Sequence, residues 1–387
     1  MNSIYSIFGE ISTETFLKEY WQKKPLLVRN AFPDFEPPVS ADELAGLALE
    51  EDVESRLITQ STDGEKWELQ HGPFAEEAFA DLPDSHWTLL VQAVDHWVPQ
   101  MSEIIEKFRF APNWRLDDLM VSYAADGGGV GPHYDNYDVF LIQATGTRRW
   151  EYGGEFGEDS PRRDDVPVMI LPEWAAEESF DLQPGDMLYL PPRLGHNGFA
   201  VGDDCMTYSV GFRAPSHQEM LTGFTRYLDQ VTCAEDRYSD PELPLQDNPG
   251  EISPDAINKV HSILQSYIDN PELLSDWFGR YMTEPKYPDL AGMNSCDTQV
   301  EEVMEALQSE VTIYRNEGSR FAYHGESDGV SLFVDGQCHL CDPEQSALAK
   351  ALCLDTVHDN ISATSANAEL INALLRQGAL YVEDTED

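Results

Sequence analysis

Basic residues are scarce in this chain of 387 residues, where 24 Lys and Arg stand against 71 Asp and Glu and give a formal net charge of −47. A surface of this charge repels nucleic-acid phosphates and anionic lipid, and it attracts a basic partner. For the total charge we favour the simpler interpretation that acidic side chains promote solubility. The composition therefore argues against direct DNA binding, and it is compatible with a basic protein substrate.

Long apolar runs and clustered cysteines are also missing. No stretch is long and apolar enough to span a bilayer, and the first residues lack the basic and apolar regions of a signal peptide. The six cysteines are scattered, which is typical of a reducing compartment, so we expect a cytoplasmic protein without a membrane segment. Cys338 and Cys341 form a lone CxxC, which we interpret as two free thiols rather than a zinc or redox site.

The first half of the chain predicts a mixed segment followed by a β-rich domain. Residues 1–90 combine short helical stretches with strands, and residues 86–109 have apolar positions at helical spacing. Between about 113 and 213, short β-type runs alternate with Gly and Pro turns, which favours a sandwich or barrel. Because no long helices separate these runs, a doubly wound parallel sheet is not expected.

The second half predicts helices and then a small mixed domain. Ser216 and Glu219 form a capping-box signature at the start of a helical block over residues 215–285. Residues 254–268 place apolar side chains on one helix face, which could close a homodimer or simply pack on the same chain. Residues 286–387 suit a winged-helix-like domain, but their 5 Lys and Arg against 19 Asp and Glu (5 − 19 = −14) argue against phosphate binding.

The strongest chemical signal is the run GGGVGPHYDNYDVF at residues 127–140. His133 and Asp135 are two residues apart on a predicted strand entry, so both side chains lie on one face. The run LQPGDMLYLPPRLGH ends at His196, which we place at a strand–loop junction. The glycines at 127–129 lack the GK[ST] of a phosphate loop, and we interpret them as permitting close approach of the chain to the site.

Two imidazoles and one carboxylate form the facial triad of non-haem Fe(II) oxygenases. Three protein ligands leave three octahedral positions open, two for a bidentate 2-oxo acid and one for O2. The sequence therefore predicts that His133, Asp135 and His196 hold Fe(II). An HxD pattern alone arises often by chance, but its Gly-rich β context and the later PGDxLYxPPxxxH make it specific.

These motifs, together with WQKKPLLVRN, WTLLVQAVDHW, WRLDDLMVSY, GTRRW and YSVGFRAP, resemble the JmjC-type oxygenases and most closely the bacterial ribosomal oxygenases. The resemblance covers nearly the whole chain. It implies an α+β architecture: a flanking segment (1–90), a JmjC/cupin-type double-stranded β-helix (91–214), a helical dimerisation region (215–285) and a winged-helix-like domain (286–387). It also implies a 2-oxoglutarate-dependent dioxygenase that uses Fe(II) and O2 to hydroxylate the β-carbon (3-position) of an arginine in large-subunit ribosomal protein sixteen.

The cosubstrate and substrate contacts follow from charge, strand alternation and the resemblance together. The distal carboxylate of 2-oxoglutarate needs a cation, and Arg148 is the best candidate, with an inward Arg149 as the alternative. Ser122 matches a cosubstrate contact in similar enzymes. If Ser122 points into the barrel, strand alternation also turns other side chains inward. These could form a slot for a long cationic side chain, in which a carboxylate pairs with a guanidinium and an aromatic ring and a methionine flank its methylenes. The predicted slot residues are Asp118, Met120, Tyr137 and Ser209.

Three other functions remain open from the sequence. A ribosomal-protein histidyl hydroxylase would use the same metal site with a different slot. A demethylase would use the same chemistry on an N-methyl group. A non-catalytic cupin-like ribosome-assembly factor is disfavoured by the intact HxD…H pattern and Arg148.

Overall fold

The computed structural model describes residues 7–290, 292–293 and 295–382. It divides into two compact units between Ala214 and Pro215. In the part of the chain that it describes, no helix is long and apolar enough to cross a membrane.

The first unit is built on two antiparallel sheets. The large sheet has the strand order β1-β9-β6-β11-β5-β4-β2-β3, and the small sheet has the order β10-β7-β8. The strands are β1 (Leu26–Val28), β2 (Ser55–Gln60), β3 (Trp67–His71), β4 (Trp87–Val91), β5 (Leu116–Ala124), β6 (Val139–Thr145), β7 (Arg148–Glu155), β8 (Glu178–Leu182), β9 (Met187–Leu190), β10 (Leu194–Ala200) and β11 (Cys205–Phe212). The helices are α1 (Thr13–Glu19), α2 (Ala41–Leu47), α3 (Glu76–Ala80) and α4 (Ser102–Ile105).

Alternation along the central strands separates two cores. One buried cluster combines Leu141 of β6 and Leu188 of β9 with Trp150 of β7 and Leu182 of β8, so it lies between the two sheets. The next residues along the same strands, including Phe140, join a larger aromatic and aliphatic cluster with the N-terminal helices on the opposite face of the large sheet. The large sheet is therefore covered on both faces, and its inner face is available for a site.

The helical spacing over residues 86–109 was a misleading signal. Trp87–Val91 form β4, which pairs with β2 on one side and β5 on the other, and the only α-helical turn in this stretch is α4. Leu89, Leu90 and Val91 are all buried, so β4 is apolar on both faces. A short continuous apolar run cannot be distinguished from a buried helix by its periodicity.

The second unit contains helices and two small sheets. Its helices are α5 (His217–Val231), α6 (Pro254–Ile268), α7 (Pro271–Thr283), α8 (Val300–Gln308), α9 (Ser346–Leu354) and α10 (Ser365–Gln377). Its strands are β12 (Ile313–Arg315), β13 (Phe321–Glu326), β14 (Gly329–Val334), β15 (Gln337–Cys341), β16 (Val357–His358) and β17 (Leu380–Tyr381), ordered β16-β12-β17 and β13-β14-β15. The predicted capping box at α5 is confirmed, because Ser216 Oγ accepts from Glu219 N and the Glu219 carboxylate accepts from Ser216 N.

Candidate metal centre

Three side chains from distant parts of the sequence converge on the inner side of the barrel. The ligand atoms of His133, Asp135 and His196 all lie within 4.8 Å of one another. Asp135 Oδ2 is 4.0 Å from His133 Nε2 and 3.6 Å from His196 Nε2. Among the residues described by the structure, this is the only group of three or more such side chains close enough to hold one metal ion.

Backbone pairing brings the two histidines together. His133 N donates to His196 O at 2.9 Å, and His196 N donates to His133 O at 2.8 Å. His196 is the third residue of β10, immediately after a bulge in the pairing with β7, so our placement at a strand–loop junction was wrong. A β-bulge changes the direction in which a side chain points, and this bulge turns the side chain of His196.

The glycine run allows the same close approach. Gly129 forms an isolated bridge with Phe199, and a Cβ atom on Gly129 would lie 2.5 Å from Gly198 O. No side chain fits at that distance, so the segment that carries His133 can approach β10 only with glycine here. This agrees with the interpretation of the run as a means of close approach.

Both histidine rings are oriented by hydrogen bonds at Nδ1 that leave Nε2 as the atom available to a cation. His133 Nδ1 lies 2.8 Å from Gly131 O and His196 Nδ1 lies 2.9 Å from Leu194 O. A carbonyl oxygen only accepts, so each Nδ1 carries the proton and each Nε2 presents its lone pair. Burial, together with the neighbouring His133 ring, lowers the pKa of His196 to about 4, which keeps this imidazole neutral at pH 7. Two imidazoles and one carboxylate fit Fe(II), and three ligands leave coordination positions open.

Arg148 and Arg149 point in opposite directions from β7. Arg148 is 3% exposed, and its Nη2 donates to Gly198 O at 3.0 Å. Within the described part of the chain its Nε and Nη1 have no hydrogen-bond partner, and burial lowers its pKa. Arg149 instead pairs with Asp181 at the surface, at 2.6 Å. Unpaired buried donors are rare and cost about 1–3 kcal/mol each, so the Arg148 guanidinium fits an anionic ligand.

The site is continuous from Arg148 to the triad. The Arg148 guanidinium carbon lies 5.1 Å from the centre of the Trp150 ring, and the Trp150 and His196 ring centres are 6.0 Å apart. Ser122 is also buried, on the inner face of the facing strand β5, with its Oγ 3.4 Å from Thr207 O. The two predicted cosubstrate residues therefore both lie inside the barrel.

Comparisons with known proteins match this architecture. The JmjC domain model matches residues 103–220, and the ROXA-like winged-helix model matches residues 266–381. The ribosomal protein uL16 3-hydroxylase of Escherichia coli (strain K12) is 37% identical over 354 residues, which cover 91% of this chain and 90% of that protein. The chain belongs to the JmjC-type ribosomal oxygenases.

Further relatives of this ribosomal oxygenase agree. The probable ribosomal oxygenase of Haemophilus influenzae is 34% identical and covers 85% of this chain and 78% of its own length. A solved structure of YcfD, a ribosomal oxygenase from Escherichia coli, in complex with cobalt and 2-oxoglutarate has a TM-score of 0.86 at 33% identity. The structural alignment covers 97% of this chain and 99% of the YcfD chain.

Family membership confirms the predicted α+β fold, with a JmjC double-stranded β-helix and a winged-helix domain. It also confirms the prediction of a 2-oxoglutarate-dependent dioxygenase that uses Fe(II), 2-oxoglutarate and O2. The winged-helix match begins at residue 266, within α6, ahead of the boundary that the sequence suggested at 286. The individual domain boundaries, the roles of the site residues and dimerisation remain predictions.

The predicted substrate slot of the ribosomal oxygenase lies on the same inner face. Met120 pairs with Ser209 across β5 and β11, and Asp118 is buried near the start of β5. Tyr137 is 42% exposed, so it forms the outer wall rather than the interior. Partial burial, followed by the carboxylates of Asp135 and Asp118, raises the pKa of Tyr137.

Two residues of this region were not foreseen from the sequence. Arg56 on β2 and Gln92 after β4 reach the slot, with Arg56 Nη2 2.8 Å from Gln92 Oε1 and 3.9 Å from Met120 Sδ. Gln92 and Asp118 are 26 positions apart in the sequence, and Arg56 lies farther away. The pairing of β2 with β4 and of β4 with β5 brings Arg56 and Gln92 to the slot. No local sequence motif predicts that pairing.

Proposed function

We propose that this ribosomal oxygenase hydroxylates the β-carbon of an arginine in large-subunit ribosomal protein sixteen, in the cytoplasm. The observation that carries the proposal is a carboxylate, Asp118, buried on the inner face of the barrel beside Met120 and Tyr137. A buried carboxylate flanked by apolar and aromatic surface suits a guanidinium on a long aliphatic stem. The uL16 3-hydroxylase, 37% identical to this chain, supports the choice of substrate protein.

In this proposal His133, Asp135 and His196 hold Fe(II), and Arg148 with Ser122 holds 2-oxoglutarate. Bound iron, with O2 and 2-oxoglutarate, supplies the oxidation of a carbon–hydrogen bond. The protein supplies position. Arg148 has unpaired donors for one end of the cosubstrate, while the Nδ1 contacts of the two histidines fix the ring orientations at the other end.

The slot residues bind and aim the substrate arginine. Asp118 pairs with its guanidinium, and Met120 and Tyr137 flank its methylenes. Ser209, opposite Met120 on β11, adds a hydrogen bond. In this proposal, an arginine held at its head in this way presents the start of its side chain to the triad.

The net charge of −47 supports a basic ribosomal protein as partner. Opposite charge raises the rate of encounter at low salt without specifying the contact. The same charge disfavours a role in direct DNA binding for the winged-helix domain.

We further propose a homodimer that forms through the helical region 215–285, between the catalytic domain 91–214 and the winged-helix domain 286–387. On α6 a row of apolar side chains at helical spacing is exposed within its own unit: Ile257 (56%), Val260 (45%), Leu264 (57%) and Ile268 (53%). No residue of α6 is buried. A contiguous apolar helix face of this kind is typical of a subunit interface.

The substrate assignment is tested with the full-length protein, Fe(II), 2-oxoglutarate and peptides of ribosomal protein sixteen that contain arginine. Tandem mass spectrometry should find one added oxygen on the β-carbon of one arginine. Asp118→Ala should abolish that product, while Asp117→Ala, on the opposite face of β5 by strand alternation, should retain it. Oxygen added to a histidine, or removal of an N-methyl group, would replace the arginine assignment.

A further inference from the structure

A chain of hydrogen bonds links three inward side chains of the slot. Arg56 Nη2 donates to Gln92 Oε1 at 2.8 Å, and Gln92 Nε2 donates to Asp118 Oδ2 at 2.7 Å. Arg56 pairs with Leu90 across β2 and β4, and Leu90 pairs with Ser122 across β4 and β5. Paired residues share a face of the sheet, so Arg56 lies on the same inner face as the cosubstrate and slot residues.

The orientation of the Gln92 amide follows from its two neighbours. A guanidinium has only donors, so it must face the amide oxygen. A carboxylate at neutral pH has only acceptors, so it must face the amide nitrogen. Reversal of the amide would place donor against donor and acceptor against acceptor, which means that Arg56 determines which end of Gln92 reaches Asp118.

The turn after β4 adds a second donor to the same oxygen. Ala93 N donates to Asp118 Oδ2 at 2.9 Å. Ala93 adopts φ 49° and ψ 45°, the left-handed conformation that residues with a side chain rarely adopt. Strained backbone of this kind persists where the surroundings over-determine it, often beside functional groups. Gln92 and Ala93 together fix the Asp118 carboxylate in one rotamer.

We propose that Arg56 and Gln92 are positioning residues for the substrate, which hold the Asp118 carboxylate in the orientation that receives the substrate guanidinium. This inference rests on the proposed function, in which Asp118 binds an arginine. Arg56 also packs its guanidinium against Met120 Sδ, 3.9 Å away, and so holds the side wall of the slot. Among the described residues, the Arg56 Nε is buried without a hydrogen-bond partner. The bond from Arg56 Nη2 to Gln92 is therefore one of few polar contacts of this guanidinium.

A purely structural role is the competing explanation, because buried polar groups are normally paired whatever their function. The two roles differ in what they predict. A structural contact lowers stability and affects every kinetic constant together. A positioning contact acts through Asp118, so its loss has no additional effect once Asp118 cannot bind the substrate.

The test measures peptide KM and kcat for Gln92→Leu, Arg56→Met and Arg56→Lys in the full-length enzyme, with the arginine peptide identified above. Gln92→Leu and Arg56→Met should raise the peptide KM about tenfold, the effect of losing roughly one charge-assisted hydrogen bond, with a smaller change in kcat. Arg56→Lys, which still offers only donors to Oε1, should recover part of this loss. Gln70→Leu, an exposed glutamine on the neighbouring strand β3, is the matched control and should leave the peptide KM unchanged.

Asp118→Asn and the double variant Gln92→Leu/Asp118→Asn complete the experiment. The double variant should have the same peptide KM as Asp118→Asn alone, and the dissociation constant for 2-oxoglutarate, measured by calorimetry with Mn²⁺, should be unchanged in Gln92→Leu. Two outcomes would overturn the positioning role and leave the arginine assignment standing. The first is an additive rise of the peptide KM in the double variant. The second is an unchanged peptide KM in Gln92→Leu while Asp118→Asn raises it. An unchanged peptide KM in Asp118→Asn would overturn the arginine assignment and this inference with it.

Discussion

The main chains of His133 and His196 exchange two hydrogen bonds, of 2.9 Å and 2.8 Å, between segments more than 60 residues apart. The main-chain positions of both residues are therefore set by backbone pairing, while the Nδ1 contacts to Gly131 O and Leu194 O orient the rings. Alanine at either position keeps these two bonds, because they use only the main chain.

We accordingly expect His133→Ala and His196→Ala to stay folded and lose the metal. Loss of an outer-shell partner typically lowers metal affinity about 10–100-fold, and removal of a ligand should exceed this. Titration with Co²⁺ followed by visible absorption measures the affinity, and thermal unfolding without metal measures the fold. A variant that binds Co²⁺ as the wild type does would refute the ligand assignment.

Arg148 and its neighbour Arg149 allow a controlled test of cosubstrate binding, with Arg149 as the control position. Arg148→Lys keeps the charge but removes the two parallel donors of a guanidinium, so it should raise the KM for 2-oxoglutarate roughly 10-fold or more. Arg149→Lys changes only a surface ion pair with Asp181 and should leave this KM within about twofold of the wild type. The measurement is succinate formation at varied 2-oxoglutarate. Equal effects of the two substitutions would contradict the role of Arg148.

Part of this site could be predicted from the sequence because it is local. His133 and Asp135 are two apart in a Gly-rich run, and Arg148 follows a glycine turn, so motif and chemistry were enough to select them. The predicted strand entry at His133 and Asp135 was wrong, because His133 forms only an isolated bridge and β6 begins at Val139. The exact position of His196 was missed because a bulge between Leu194 and His196 depends on the pairing with β7. Arg56 and Gln92 were missed because their neighbours lie on other strands.

The same difference between local sequence signals and contacts between distant strands explains which parts of the fold could be predicted. Turns and short β-type runs predicted a barrel correctly, because Gly and Pro turns bound runs of β-type residues that are short and not separated by long helices. The strand at Trp87–Val91 was mistaken for helix because both of its faces are covered, which removes alternation from its sequence. Where burial covers both faces of a short run, as in β4, periodicity alone does not separate strand from helix.

Gly198 tests how tightly the inner core is packed next to the metal centre. A Cβ atom at Gly198 would lie 2.5 Å from the Trp150 ring, which is itself buried in the core between the sheets. Gly198→Ala should destabilise the protein by about 1–3 kcal/mol through overpacking. Gly46→Ala in α2, where a Cβ atom meets nothing within 4 Å, should be neutral or stabilise by up to about 1 kcal/mol. Chemical denaturation gives both values, and equal stability of the two variants would argue against a close-packed inner core.

The exposed face of α6 gives the test of subunit association. Ile257→Glu with Leu264→Glu places two charges on the apolar row, and a buried unpaired charge is strongly unfavourable at an interface. The double variant should therefore be monomeric by size-exclusion chromatography with light scattering, while the wild type has the mass of a dimer. Asn258→Glu adds a charge at an exposed polar position of the same helix and should remain dimeric. Since each catalytic centre draws His133, Asp135 and His196 from one chain, the monomeric variant should still bind Co²⁺. A wild type that is monomeric at all concentrations would exclude the homodimer and leave the α6 face without a second copy to cover it.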